Sequence, residues 1–133
     1  MNNSDGKPPS PRQPLIGVVG VCAAGKSTLI NGMQTRGVRA KHIAQEHSFV
    51  KDMWKRLTNP DLLIFLDASY PVTLARRQFN WSEADWAEQQ RRLQHAREHA
   101  DLYLNTDDLS AEQVLQTVTA FIASVYSPNI DEI

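Results

Sequence analysis

The chain contains a single cysteine, Cys22, so an internal disulfide is excluded and a reducing compartment suits it. No apolar run approaches the roughly 18 residues of a membrane-spanning helix, and the opening residues lack the order of a secretory signal. Neither sign of charge dominates: 14 lysines and arginines stand against 15 acids, a net charge of −1. That balance supplies no field for nucleic acid or acidic membranes. There is no internal repeat and no Asn-Lys-x-Asp segment for reading guanine, and His95 and His99 lack the intervening glutamate of a His-Glu-x-x-His zinc motif. The expectation is one soluble cytoplasmic domain with no nucleic-acid or membrane partner. A length of 133 residues suffices to bury about two-thirds of the unfolded surface.

What the chain does hold is Gly20-Val-Cys-Ala-Ala-Gly25-Lys26-Ser27, which fits the phosphate-loop pattern G-x-x-x-x-G-K-[ST]. At average residue usage its four fixed positions match by chance in roughly one chain of this length in a few hundred. A short β-rich run, Leu15-Ile-Gly-Val-Val, precedes it, and a helical stretch ending at Gly37 follows. A strand, a glycine-bounded loop and a helix start together make an anion site, because loop amides point inward and the helix dipole adds partial positive charge. Residues Gly20, Val21, Cys22, Ala23, Ala24, Gly25, Lys26, Ser27 and Thr28 are therefore the candidate nucleotide-binding segment. Lys26 is placed to reach the β- and γ-phosphates and the Ser27 hydroxyl to ligate Mg²⁺, so ATP and Mg²⁺ are the expected cofactors. The alternative is a glycine-bearing turn whose lysine is merely solvated.

The remaining pattern alternates strand and helix. Residues 1–14, with four prolines in polar company, read as a disordered lead-in and 127–133 as a loose tail, leaving a folded domain over 15–126. After the strand Leu15–Gly20 and its helix come a weak strand at 39–45 and a helix at 49–57. In that helix Phe49, Val50, Met53, Trp54 and Leu57 recur at helical spacing before Asn59-Pro60 stops it. Residues 62–66 form an unbroken apolar run, as a parallel strand covered on both faces requires. Pro71 opens a helix to about Phe79, and Ser82-x-x-Asp85 caps a long one to about His99. A short strand at 102–104 leads to a last helix capped by Ser110-x-x-Gln113, with Val114, Leu115, Val118, Phe121, Ile122 and Val125 as its core stripe. The fold class is α/β: a three-layer α/β/α domain around a small parallel sheet of about four strands, with right-handed crossovers. Ligands in such sheets bind beyond the carboxyl ends of the strands. The polar residues there are Glu46 and His47, Asp67, and residues 106–108.

Together these segments resemble the phosphate-loop kinases of small molecules, the nucleoside and nucleotide kinase-like P-loop NTPases. The phosphate loop carries the resemblance most specifically. Asn59-Pro-Asp-Leu-Leu-Ile-Phe-Leu-Asp-Ala-Ser-Tyr-Pro is similar to the family's strand ending in Leu-Asp before an arginine-bearing helix, here with Arg76 and Arg77. Arg92-Leu-x-x-Ala-Arg-x-x-Ala-Asp101, running into Leu102-Tyr-Leu-Asn-Thr-Asp107, resembles the approach to its last strand and final helix. The resemblance spans most of residues 15–125 and implies the P-loop NTPase fold, with the adenine ring passing near 106–108. Two features depart from it. Only about 25 residues separate the phosphate-loop helix from the third strand, so the family's acceptor-binding subdomain is reduced or missing. Gln45, Glu46 and His47 stand where the family carries an Asp-Arg pair.

Phosphoryl transfer needs positioning and charge neutralisation more than covalent chemistry. Residues 76–97 hold five arginines, Arg76, Arg77, Arg91, Arg92 and Arg97, against the acids Glu83, Asp85 and Glu88. Asn80-Trp81-Ser82 reads as a hinge for a short arginine lid of the kind these kinases use. The alternative is a solvated helix face laced by pairs such as Glu88 with Arg92. Glu46, if the second strand lies beside the first, falls near the γ-phosphate, able to hold a Mg²⁺-bound water or accept an acceptor hydroxyl's proton. Asp67 is the competing Mg²⁺-organising acid, since it closes the four-apolar-then-Asp pattern Leu63-Ile-Phe-Leu-Asp67, whereas the resemblance implies a strand-end residue that fixes the following loop. His47 reads as a loop histidine, His95 and His99 as surface residues, Cys22 as packing, and Trp54, Trp81 and Trp86 as core or lid packing. The sequence thus supports an ATP-dependent, kinase-like phosphotransferase acting on a small metabolite. Its alternative is a nucleotide-binding or slowly hydrolysing module, with a homo-oligomer left open as a way to complete the site.

Overall fold

A computed structural model describes residues 13–77 and 80–126. Four strands, β1 (Leu15–Gly20), β2 (Arg39–His42), β3 (Leu62–Asp67) and β4 (Leu102–Asn105), form one sheet in the order β2-β1-β3-β4. Every pairing is parallel. The helices are α1 (Lys26–Thr35), α2 (Tyr70–Arg77), α3 (Glu83–His99) and α4 (Ala111–Tyr126). Packing places α1 against β1, β2 and α4, while α3 lies on β1, β3 and a 3₁₀ turn at Gln45–His47. This is an α/β architecture compatible with the three-layer expectation.

The centre of the sheet is the apolar part of the sequence. Ile16, Val18 and Val19 of β1 and Ile64, Phe65 and Leu66 of β3 are wholly buried, because helical layers leave neither face of these strands to water. On α1, Leu29, Ile30 and Met33 are buried at positions three and four apart. Both predicted caps form. Ser82 accepts from the Asp85 N–H and Asp85 accepts from the Ser82 N–H; Gln113 N–H donates to Ser110 Oγ and Ser110 N–H to Gln113 Oε1. Among the described residues no helix is long and apolar enough to cross a membrane.

The segment between β2 and β3 departs from expectation. β2 ends at His42 rather than 45, since Gln45 turns into the 3₁₀ segment. The expected helix at 49–57 is replaced by turns and a single π-helical turn, Trp54–Thr58. Its apolar residues do not form a core stripe: Phe49 is 85% exposed and Leu57 76%, with only Trp54 buried. What ties the segment together instead is the buried Gln45 side chain, which accepts from the Trp54 N–H at 2.8 Å and donates to the Val50 carbonyl at 2.8 Å. On α4, Val125 is exposed, so the core stripe ends before it. β3 and β4 each run one residue further than expected. The lead-in at 1–12, the tail at 127–133 and the α2 end at Phe79 lie outside the described residues.

Candidate functional site

The 20–27 loop leaves β1 over the carboxyl end of the sheet, and its backbone could not be made from ordinary residues throughout. A Cβ on Gly20 would lie 2.0 Å from the Leu66 carbonyl oxygen, so that position admits only glycine. Gly25, at φ 104°, ends the loop as the N-cap of α1 with no side-chain capping bond. Ala23 sits at φ 66°, a left-handed conformation that costs a non-glycine residue about 1 kcal/mol. With no acid in its first turn and no capping side chain, α1 presents its amino end to the cavity.

That cavity measures about 490 Å³ and is lined by Cys22, Ala23 and Gly25 to Thr28 of the loop together with His42, Glu46, His47, Arg76 and Arg77. Lys26 is buried within its wall, where its ammonium donates to the carbonyls of Gly20 (2.7 Å) and Val21 (2.9 Å). It also pairs with Glu46 Oε2 at 3.2 Å. Glu46 reaches this position because β2 is the neighbour of β1 and the 3₁₀ turn folds it back over the loop. Its side chain is 3% exposed, with His42 Nε2 at 3.7 Å and His47 Nε2 at 3.8 Å from Oε2. Its other oxygen, Oε1, is buried with no hydrogen-bond partner among the described residues.

A second cavity of about 230 Å³ adjoins the first through Ala23, Gly25, Thr28 and Arg76, and continues to Thr106, Leu109, Ala111 and Val114. Arg76 stands between the two. Its guanidinium donates to the Ala23 carbonyl (3.1 Å), to Thr106 Oγ1 (2.9 Å) and to the Thr106 carbonyl. Thr106, buried, donates onward to the Ala24 and Asp67 carbonyls, so its hydroxyl ties the end of β4 to the loop.

Of the residues singled out from sequence, the structure brings together the loop, Lys26, Ser27, Glu46, Arg76 and Arg77. It does not bring Asp67, Arg91 or Arg92 to the cavity. Both oxygens of Asp67 are committed elsewhere: Gln90 Nε2 and the Ala68 N–H donate to one, and Tyr103 Oη (2.6 Å) and Arg97 Nη2 (3.1 Å) meet the other. The metal role expected of Asp67 therefore gives way to a structural tie between β3, α3 and β4. Burial, followed by the Asp67 carboxylate, raises the Tyr103 phenol above its ordinary pKa. Arg91 points to solvent and pairs with Glu88. Arg92 pairs with Glu88 at 3.0 Å and stacks over Phe49. Arg91 thus sits on a solvated face, whereas Arg92 is half-buried and also donates to the Glu46 carbonyl at 3.4 Å. The hinge expected at 80–82 is anchored, since Trp81 is buried and its carbonyl accepts from Tyr70 Oη at 2.8 Å.

The strand-end position that made Thr106 a candidate is where its hydroxyl anchors the loop. Sequence reasoning missed Gln89, whose side chain accepts from the Cys22 N–H and donates to Cys22 Sγ. Gln89 carries no such signal, since the contact spans 67 residues of sequence. No protein-family model matches this chain, and no curated protein sequence matches it significantly.

Proposed function

We propose that the chain is a P-loop nucleotide-binding protein of kinase-like activity: an ATP-dependent, Mg²⁺-dependent phosphotransferase acting on a small metabolite. The observation that carries this reading is the buried Lys26–Glu46 pair at the wall of a cavity whose other cations are Arg76 and Arg77. Lys26 is held by one carboxylate and two carbonyls. A polyphosphate offers that ammonium several charged oxygens, a stronger set of partners. Released from Lys26, Glu46 turns a carboxylate toward the same space.

The residues present fit a hard cation. Glu46 has an unused buried acceptor in Oε1, and the Ser27 hydroxyl lines the same cavity, an oxygen donor set of the kind Mg²⁺ takes. When bound, Mg²⁺ supplies charge neutralisation on the β- and γ-phosphate oxygens. The amides of the 20–27 loop orient the phosphates, and Arg76 and Arg77 offset the charge that spreads over the moving phosphoryl group. Glu46 accepts the proton of an attacking hydroxyl. The smaller cavity, with Leu109 and Val114 on its wall, suits a planar base. The free thiol of Cys22 suits a cytoplasmic setting.

The second reading is a nucleotide-binding or slowly hydrolysing module. It is favoured by the segment between Gln45–His47 and β3, which holds only turns where an acceptor-binding subdomain would stand. Incubation with Mg²⁺ and γ-labelled ATP, with and without a small-metabolite extract, separates the two. Label in a new small molecule supports the kinase and supplies its acceptor. Label found only in free phosphate, or left on bound ATP, supports the module. ATP that neither binds nor reacts defeats both.

A further inference from the structure

We infer that Cys22, Glu46 and His47 form a site for a divalent cation of borderline softness, with Zn²⁺ as the type. One ligand atom from each, a sulfur, a carboxylate oxygen and an imidazole nitrogen, lies within 4.8 Å of the others. All three residues line the 490 Å³ cavity. The second observation is independent of their spacing: Glu46 is 2% exposed, yet its Oε1 has no hydrogen-bond partner among the described residues. A buried acceptor left unmatched forfeits the water it gave up on burial, and a cation bound there restores a partner.

Tetrahedral bonds of about 2.0–2.3 Å put the donor atoms about 3.3–3.6 Å apart, so a cluster within 4.8 Å must contract by up to about 1.5 Å. His47 can supply that movement, because its side chain is 61% exposed and free to change rotamer. The other two ligands are already held. Glu46 is braced through Oε2 by Lys26 at 3.2 Å. Cys22 is braced by Gln89, whose amide donates to the sulfur at 3.1 Å while accepting from the Cys22 N–H at 3.0 Å. A donor aimed at the sulfur favours the thiolate that a metal requires and fixes its direction. Thiolate and imidazole select Zn²⁺ or Co²⁺ over Mg²⁺. Three protein ligands leave a fourth position open to the cavity, the pattern of zinc sites that bind water or an anionic substrate rather than purely structural ones. This site stands on its own three side chains and does not rest on the nucleotide reading.

Co²⁺ titration of the whole chain in a reducing buffer free of competing thiols, without nucleotide, tests it. The expected result is a near-ultraviolet thiolate-to-cobalt charge-transfer band with strong visible bands of tetrahedral cobalt. Stoichiometric Zn²⁺ should erase them and millimolar Mg²⁺ should leave them. Cys22→Ser should remove the charge-transfer band, and His47→Ala should weaken Co²⁺ binding about tenfold or more. Because Cys22 sits in a constrained loop, alkylation of the wild-type thiol provides a reading that needs no variant. Zn²⁺ should slow alkylation about fivefold or more by tying up the thiolate, and a chelator should restore it. Weak octahedral bands without charge transfer, displacement by Mg²⁺, or alkylation indifferent to Zn²⁺ would each overturn the site.

Discussion

Glu46, past the end of β2, and Asp67, the last residue of β3, are both buried acids, but their surroundings divide their tasks. Asp67 has every oxygen occupied by protein donors, whereas Glu46 has Oε1 unmatched and faces a cavity. Under the proposed function, Glu46→Gln should lower turnover by about 10²-fold or more while leaving nucleotide affinity within a few-fold. Asp67→Asn should do the reverse, costing about 2 kcal/mol of stability through its lost charged hydrogen bonds and sparing nucleotide affinity. Turnover assays, calorimetric titration and urea unfolding on the two variants decide this directly. Lys26→Met should both abolish nucleotide binding and lower stability by about 3 kcal/mol, because Glu46 then stays buried without its ammonium. A single residue's environment, and not its place in a pattern, distinguishes the two acids: four apolar residues before Asp67 are the same four whether its carboxylate meets a metal or Arg97.

At the scale of elements, local chemistry accounts for the boundaries that the sequence made legible. The Ser82 and Ser110 caps each form with their partner three residues on. Ser82→Ala and Ser110→Ala should each cost about 1 kcal/mol, read as a lower urea midpoint at unchanged slope. β1, β3, α1, α3 and α4 were readable for the same reason: their apolar spacing, caps and glycines act within a few residues. The segment from Phe49 to Thr58 was not. Its apolar residues recur at helical spacing, but a helix needs a partner for that face, and here the buried Gln45 amide organises the chain into turns while Phe49 is left to stack under Arg92. Arg91 and Arg92 went the same way, while Arg76 and Arg77 line the cavity. Helical spacing shows that Glu88 and Arg92 can pair; only the position of α3 on the sheet shows that Arg91 and Arg92 lie away from the cavity.

Across the whole molecule, ligand and proton binding should register as stability. If the nucleotide reading holds, Mg²⁺–ATP at a hundred times its dissociation constant should add about 2.7 kcal/mol, or about 10 °C in melting temperature, and Lys26→Met should erase the shift. Acid should act through His95, which accepts from Trp54 Nε1 at 3.1 Å and lies beside His99, Lys51, Asp52 and Glu98. Burial first, then His99, lowers its pKa below the usual 6.5. The unfolded chain therefore holds more protons in that window, so stability is full above about pH 6.5 and falls as pH drops through it. The pH dependence of urea unfolding should flatten in His95→Gln; an identical slope would remove His95 as its source. By itself the sequence determined the strand–loop–helix at 15–35, the apolar centre of the sheet and the caps, because short-range sterics, periodicity and hydrogen bonding settle those within a few residues. Tertiary structure alone decided that Glu46 meets Lys26, that Thr106 and Arg76 bridge β4 to the loop, and that Asp67 turns to Arg97. Those contacts join residues 20 to 82 positions apart, and which side chains meet at such separations is set by strand order and helix packing.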